Sequence, residues 1–251
     1  MRLFIGILLV LTTTASFAQE TALISAVYKW SDMGSASEKR LLKGPTAYFK
    51  SYEVNVMTVK PGNKLLNGYT SNDAEELWII KQGKLHITVN KEEKVLGPGS
   101  IAFIMPGEKY TVQHEGSEVS IFYTLKSTAK SPDARERGKS NGGSFLINND
   151  GIETKKTERG GRKDYFDKPT AMCDDFEMHV TILNEGLPSH PPHTHAQEEI
   201  ILLMRGDATM SINNKDYEIS PGSLVFLASG DLHGIRNSGK GQCEYFAFQW
   251  K

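Results

Sequence analysis

Chemistry concentrates in one stretch of the 251-residue chain, HPPHTHAQEEIILLMRG from His190 to Gly206, where three histidines and two adjacent carboxylates precede an apolar run. In an extended strand alternate side chains share a face, so the even separations of His193, His195 and Glu199 aim two imidazoles and a carboxylate to one side. His233 follows after PGSLVFLASGDLH, whose Pro-Gly turn opens a second hairpin. Three imidazoles and a carboxylate form a nitrogen and oxygen set suited to one divalent transition metal: Mn, Fe, Co, Ni, Cu or Zn. On an octahedral ion they leave two positions for water, oxygen or a chelating substrate, as a catalytic rather than a closed structural site requires.

Other polar residues nearby are candidates for substrate binding. His190 sits beside Pro191 and Pro192, in a loop where a surface position competes with a substrate contact. His179, in EMHVTIL, shares a strand face with Glu177 and Thr181, and that face could line a pocket or meet solvent. Arg236 and Asn237 follow His233 and could orient it or hold a substrate carboxylate. Glu198 is out of phase with Glu199 and should point away from the metal, while His86 and His114 have no partners at ligand spacing.

The elements that must position these groups are strands. Short alternating runs bounded by Gly, Pro and Asn recur, including YEVNVMTV, EELWIIKQ and SIAFIM in the first half and EMHVTIL, EEIILLMR, SLVFLA and CEYFAFQW in the second, so the fold is expected to be all-β. The halves align at one fixed offset: Glu76 on Glu199, Gly83 on Gly206, Pro98-Gly99 on Pro221-Gly222, Phe103 on Phe226 and Gly107 on Gly230. This is an internal repeat, two copies of one β unit. At the same offset His193, His195 and His233 become Thr70, Asn72 and Tyr110, while the glutamate survives as Glu76. The first unit is therefore read as structural, with a metal-free pocket lined by Glu76 and Tyr110 as the alternative. The expected divisions are a leader at 1–18, a first barrel at 19–127, a polar solvated connection at 128–165 that could partly cross over, and a second barrel at 166–251.

The run from His193 through Glu199 to Gly206 resembles the first motif of the cupin superfamily, and Gly222–Asn237 resembles the second, with Ala228 where cupins usually carry proline. The resemblance implies two tandem double-stranded β-helix (jelly-roll) barrels and a metal held in the second by His193, His195, Glu199 and His233. FEMHVTILNEGLPSH followed by THAQEE is in addition similar to (S)-ureidoglycine aminohydrolase, a manganese bicupin family that removes ammonia from a ureido acid. That family carries Glu, His and Gln at the positions of His193, Glu199 and His233, and agrees only at His195. The likeness thus implies shared architecture, with manganese the first expectation among the metals.

A net charge of -1 and scattered basic residues exclude a nucleic-acid footprint. MRLFIGILLVLTTTASFAQE has Arg2, an apolar run and the small-residue pattern Ser16-Phe17-Ala18, the marks of a secretory leader cut after Ala18. The run is shorter than the roughly 20 residues of a membrane span, so a periplasmic or extracellular protein without an anchor is expected. Such a compartment would permit Cys173 and Cys243 to pair, although small buried thiols are equally suited to those positions. Phe246, Phe248 and Trp250 need cover, from the other barrel or from a second copy of the chain. The functional expectation is a metal-dependent enzyme acting on a small carboxylate, enol, sugar acid or ureido acid by isomerisation, decarboxylation, C–N hydrolysis or dioxygenation. A binding module that captures a small molecule or metal without turnover is the alternative.

Overall fold

The computed structural model describes residues 21–29, 37–62, 66–131 and 134–251, and the expected leader lies outside them. In chain order come β1 (Ala26–Tyr28), β2 (Glu38–Gly44), β3 (Phe49–Val59), β4 (Leu66–Tyr69) and β5 (Glu75–Gln82). Then follow β6 (Lys84–Val89), β7 (Glu92–Leu96), β8 (Ile101–Ile104), β9 (Lys109–Glu115) and β10 (Ser120–Ala129). A short helix α1 (Arg135–Ser140), β11 (Phe145–Ile147), β12 (Lys155–Thr157) and β13 (Gly160–Asp167) lead into the second half. It continues with β14 (Phe176–Leu183), β15 (Glu198–Arg205), β16 (Ala208–Ile212), β17 (Lys215–Ile219), β18 (Leu224–Leu227), β19 (His233–Asn237) and β20 (Cys243–Trp250).

Each half is a barrel of one large and one small antiparallel sheet. The first pairs β11-β8-β5-β10-β3-β2 with β4-β9-β6-β7, the second β1-β18-β15-β20-β14-β13-β12 with β17-β16-β19. The two large sheets pack on each other, and that contact is the main core. Phe49, Tyr52 and Tyr123 of the first half meet Phe246, Phe248 and Trp250 of the second, with Trp250 5.5 Å from Phe49 and 4.9 Å from Tyr52 between ring centres. The aromatic strand is thus covered by the other barrel. Each barrel also has its own interior core. Strands buried on both faces must be apolar at consecutive positions, which is why EELWIIKQ and EEIILLMR are nearly continuous: Ile200 and Leu202 face the other barrel while Ile201 and Leu203 face inward. Cys173 and Cys243 are free and lie in different cores, on opposite sides of the sheet.

The barrels exchange strands. β1, at the start of the chain, pairs with β18 of the second barrel, whereas β11, from the segment between the halves, pairs with β8 of the first. The segment 128–165 is accordingly more than a solvated connection: it supplies β11 to one sheet and β12 and the start of β13 to the other. Its many charges sit on exposed positions of hairpins at the sheet edge, so composition alone reads it as loop.

Two buried glutamates at repeat-equivalent positions fasten the barrels reciprocally. Glu75 accepts hydrogen bonds from Thr170 Oγ1 and from the Ala171 and Met172 amides in the β13–β14 loop of the second barrel. Glu198 accepts from the Ala47 amide in the β2–β3 loop of the first barrel and from Trp250 Nε1. Burial pushes the Glu75 carboxyl up to about 7, against the three donors that favour its charged form. A carboxyl that ionises later in the folded than in the unfolded chain contributes stability in full below the ordinary carboxylate range and loses it as pH rises through about 7, a total of about 3 kcal/mol here. Glu75→Gln keeps an acceptor for the loop without the charge. Urea unfolding should find this variant more stable relative to the natural chain at about pH 8 than at about pH 4, by on the order of 3 kcal/mol; the same difference at both pH values would contradict the assignment.

Candidate metal centre

β15, β20 and β14 lie side by side, so Glu199, Gln249 and Glu177 form one row across the inner face of the large sheet. Above the Glu199 end stand the histidines. His193 and His233 bridge through their backbones, each amide donating to the other's carbonyl at 3.0 Å, which sets a ring from the proline-stiffened loop beside one from β19. His195 lies between that bridge and β15. The candidate ligand atoms of the three histidines all fall within 4.8 Å of one another. Glu199 Oε2 is 3.1 Å from His195 Nε2 and 3.2 Å from His233 Nε2.

Ring tautomers make this cluster a fit for a cation. His195 Nδ1 is 2.9 Å from the Gln197 carbonyl and His233 Nδ1 is 2.8 Å from the Asp231 carbonyl. A carbonyl only accepts, so in both rings Nδ1 carries a proton, and Nε2 is left to bind a cation beside Glu199 or to hold a second proton toward it. His233 Nε2 is fully buried and, despite its distance to Glu199, lacks hydrogen-bond geometry to any partner among the described residues. Lone pairs thus face carboxylate oxygens unless a proton or a metal stands between them. Burial and the neighbouring His190, His233 and His195 rings lower the His193 pKa, whereas the bond to Glu199 raises that of His195, so a proton shared with Glu199 competes with a cation for this position. Ligands in cis positions about 2.1 Å from one ion stand about 3 Å apart, matching the two Glu199 edges. Burial alone would raise the Glu199 carboxyl; the His195 hydrogen bond and the His233 ring outweigh it and hold it at about 2, ionised as a ligand must be.

The cluster opens into a cavity of about 560 Å³. Five of the chain's seven histidines line it: His179, His190, His193, His195 and His233. His179 faces this cavity rather than solvent, and its Nδ1 lies 3.0 Å from Glu177 Oε1. His190 is an exposed lining residue at the mouth, its ring 4.2 Å from that of His193. Two expected substrate contacts lie elsewhere. Arg236 is exposed and points out of β19, the strand's alternation having turned it from the face that His233 and Ile235 share. Asn237 is buried, but its amide donates to the Leu183 and Gly241 carbonyls and its Oδ1 accepts from the Gly239 amide, so it fastens a turn. Arg159 and Arg162 reach the cavity wall from the hairpin of β12 and β13, and reading that segment as a connection hides them. Extending the repeat upstream would have placed Gly161–Asp167 against β2 and marked it as a strand.

A model of the cupin domain matches residues 55–125 and 179–248. The chain is a two-domain cupin. No curated protein matches its sequence. Among solved structures it is similar to a Pseudomonas aeruginosa protein described as glyoxylate-induced, with a TM-score of 0.66 and 17% identity over 85% of this chain and 80% of that one. Protein YlbA from E. coli gives 0.59 and 17% over 90% and 82%, and Lactobacillus farciminis oxalate decarboxylase in complex with formate gives 0.61 and 12% over 80% and 77%. At such identities the likeness establishes the fold.

The first cupin barrel has the same scaffold with its centre filled. Trp78, the repeat counterpart of Ile201, donates from Nε1 to Glu76 at 2.9 Å and packs edge-on against Tyr110 at 4.7 Å. Phe122 closes the group at 5.6 Å. Tyr110 fits because Gly68 faces it across β4 and β9: a Cβ there would come within 2.5 Å of the phenol oxygen. The alternative of a ligand pocket between Glu76 and Tyr110 is thus replaced by an aromatic plug.

Ala228 has a structural reason. Its amide donates to Ser25 Oγ at 2.8 Å, which a proline could not do, and Ser25 in turn donates to the Asp231 carboxylate. The first barrel repeats the device: the Met105 amide donates to Ser144 Oγ at 2.8 Å, and Ser144 donates to Glu108. Each serine immediately precedes an exchanged strand. Only the Ser25 copy supports a loop whose carbonyl, that of Asp231, orients a histidine. Ser25→Ala and Ser144→Ala should each cost about 1–2 kcal/mol of stability, but only Ser25→Ala should weaken metal binding, by roughly 10–100-fold in chelator competition. Equal metal affinity in the two variants would refute the link from β1 to His233.

Proposed function

We propose that the second barrel holds one divalent transition metal, manganese foremost, on His193, His195, Glu199 and His233, and that the protein is an enzyme acting on a small, multiply oxygenated carboxylate bound there. The observation carrying this reading is the convergence of three imidazoles, two of them held by backbone carbonyls at Nδ1, on one another and on the Glu199 carboxylate. A mixed nitrogen and oxygen set with open positions suits manganese. The ion would supply Lewis-acid polarisation of a substrate carbonyl. The chain's own groups do the rest. Arg159 places guanidinium charge on the wall where an anion would enter, whereas Arg162 is already paired with Asp164 and Glu177, and Ile201, Met210, Ile235 and Ala247 form an apolar floor. The oxalate decarboxylase neighbour, complexed with formate, supports a small carboxylate as the class.

Elemental analysis of the protein purified from its own compartment should find about one metal ion per chain, and the double variant His193→Ala, His195→Ala should retain less than about a tenth of it. Full retention by the double variant would remove the core of this reading. We further propose that the chain is exported, supported by the leader pattern in residues 1–18. Intact mass measurement on the mature protein should then give a chain beginning at Gln19, whereas a retained Met1 would count against export.

A further inference from the structure

His179 and Glu177 form a second polar device in the same cavity, separate from the metal cluster. They lie two apart on β14, so both face the cavity, and the ring is held by the bond from Nδ1 to Glu177 Oε1. Glu177 also accepts from Arg162 and from Gln249 Nε2 at 2.8 Å. The groups packed around the ring are Asp164 and Arg162 on β13, Ala247 and Gln249 on β20, and Glu177 and Thr181 on its own strand; Lys155 reaches it only through Asp164. The first barrel again serves as the comparison. Leu125 pairs with Val54 and its counterpart Phe248 with Met178, so Glu53 and Asn55 stand where Glu177 and His179 do. Glu53 accepts from Arg40 and from Asn55 just as Glu177 accepts from Arg162 and His179. The carboxylate is therefore common to both barrels, each drawing its arginine from a different position of the neighbouring strand, and the histidine stands where the closed barrel has Asn55.

We propose that His179, oriented by Glu177, is the residue that takes and returns a proton on a small α-keto acid seated in the cavity; this rests on the reading of the metal centre given above. A carboxylate at Nδ1 fixes the Nδ1–H tautomer and leaves the Nε2 lone pair as the basic atom. β14 and β15 are separated by β20 alone, so about 10 Å divides their backbones. The small side chain of Ala247 lies between them and leaves room for a molecule of a few carbons. An acid whose carboxylate and keto oxygens lie at the histidine cluster presents its next carbon toward β14. The C–H bond there breaks, its electron pair passes to the keto oxygen as an enolate, and the proton goes to His179 Nε2 while Nδ1–H stays on Glu177. Returning the proton, or a deuteron from solvent, to the same carbon re-forms the ketone and completes an exchange.

The test uses the metal-loaded protein with pyruvate in deuterium oxide, followed by NMR of the methyl group, beside His179→Asn, which copies Asn55 and keeps a donor for Glu177. The natural chain should exchange the methyl protons, and His179→Asn should slow this roughly 10²–10⁴-fold with metal content unchanged. Imidazole ¹⁵N spectra should show His179 protonated at Nδ1. Exchange unaffected by His179→Asn, no exchange by the natural chain, or an Nε2–H tautomer would overturn the proposal. Absence of metal from the natural chain would instead strike the reading of the centre, and the ¹⁵N spectrum reports on the dyad independently of it.

Discussion

Burial of both faces of the two large sheets is the constraint on which the rest of this molecule depends. A strand with apolar cover on both sides has no solvent face on which to put polar groups, so every polar side chain along it must be matched to a partner. The Glu-Glu doublets that open β5 and β15 follow that rule. Successive residues face opposite sides, so Glu75 and Glu198 enter the contact between the barrels while Glu76 and Glu199 enter the interiors. A slip of one residue in register would exchange these roles, leaving Glu75, Glu76 and Glu198 without their donors and taking Glu199 away from the histidines.

The two barrels show what one scaffold needs and what one site adds. Sheet order, the serine clamps, the clasping glutamates and a further glutamate on the inner wall occur twice. The histidines occur once. In the first barrel the volume is taken by Trp78, Tyr110 and Phe122, while in the second Ile201 and Ala247 keep it open. Filling one barrel with aromatic side chains gives the other a dense, rigid partner against which the open cavity can be held.

Much of this was legible in the chain itself. Repetition of Glu, Gly and Pro at one offset located both barrels, and the loss of histidines from the first copy separated ligand from scaffold. The face of β14 bearing Glu177, His179 and Thr181 also followed from alternation, but whether it met solvent or a cavity did not, because both faces of that strand are covered. A crossover from the intervening segment was an open expectation, but three residues of ordinary composition carry no periodicity by which to locate β1 or β11. Arg159 and Arg162 were hidden by the charged composition of an edge hairpin. Asn237 was misplaced because an amide that closes a turn and one that binds substrate read alike in a sequence, and only its partners, the Leu183 and Gly241 carbonyls, tell them apart.

The exchange of β1 and β11 bears on how the chain reaches this state. Ala26 pairs with Phe226, so the second barrel's sheet is completed by residues about 200 positions earlier in the chain. Closing so long a loop is entropically slow, and contacts of this separation set the rate of folding more than they set stability. The first half can form most of its sheet early, but it lacks β11 until the intervening segment is made, and the second lacks β1 until the chain returns to its beginning. Neither large sheet is complete without a strand from outside its own barrel, and the loop that carries His233 is tied through Ser25 to the pairing of greatest separation in the chain's sheets.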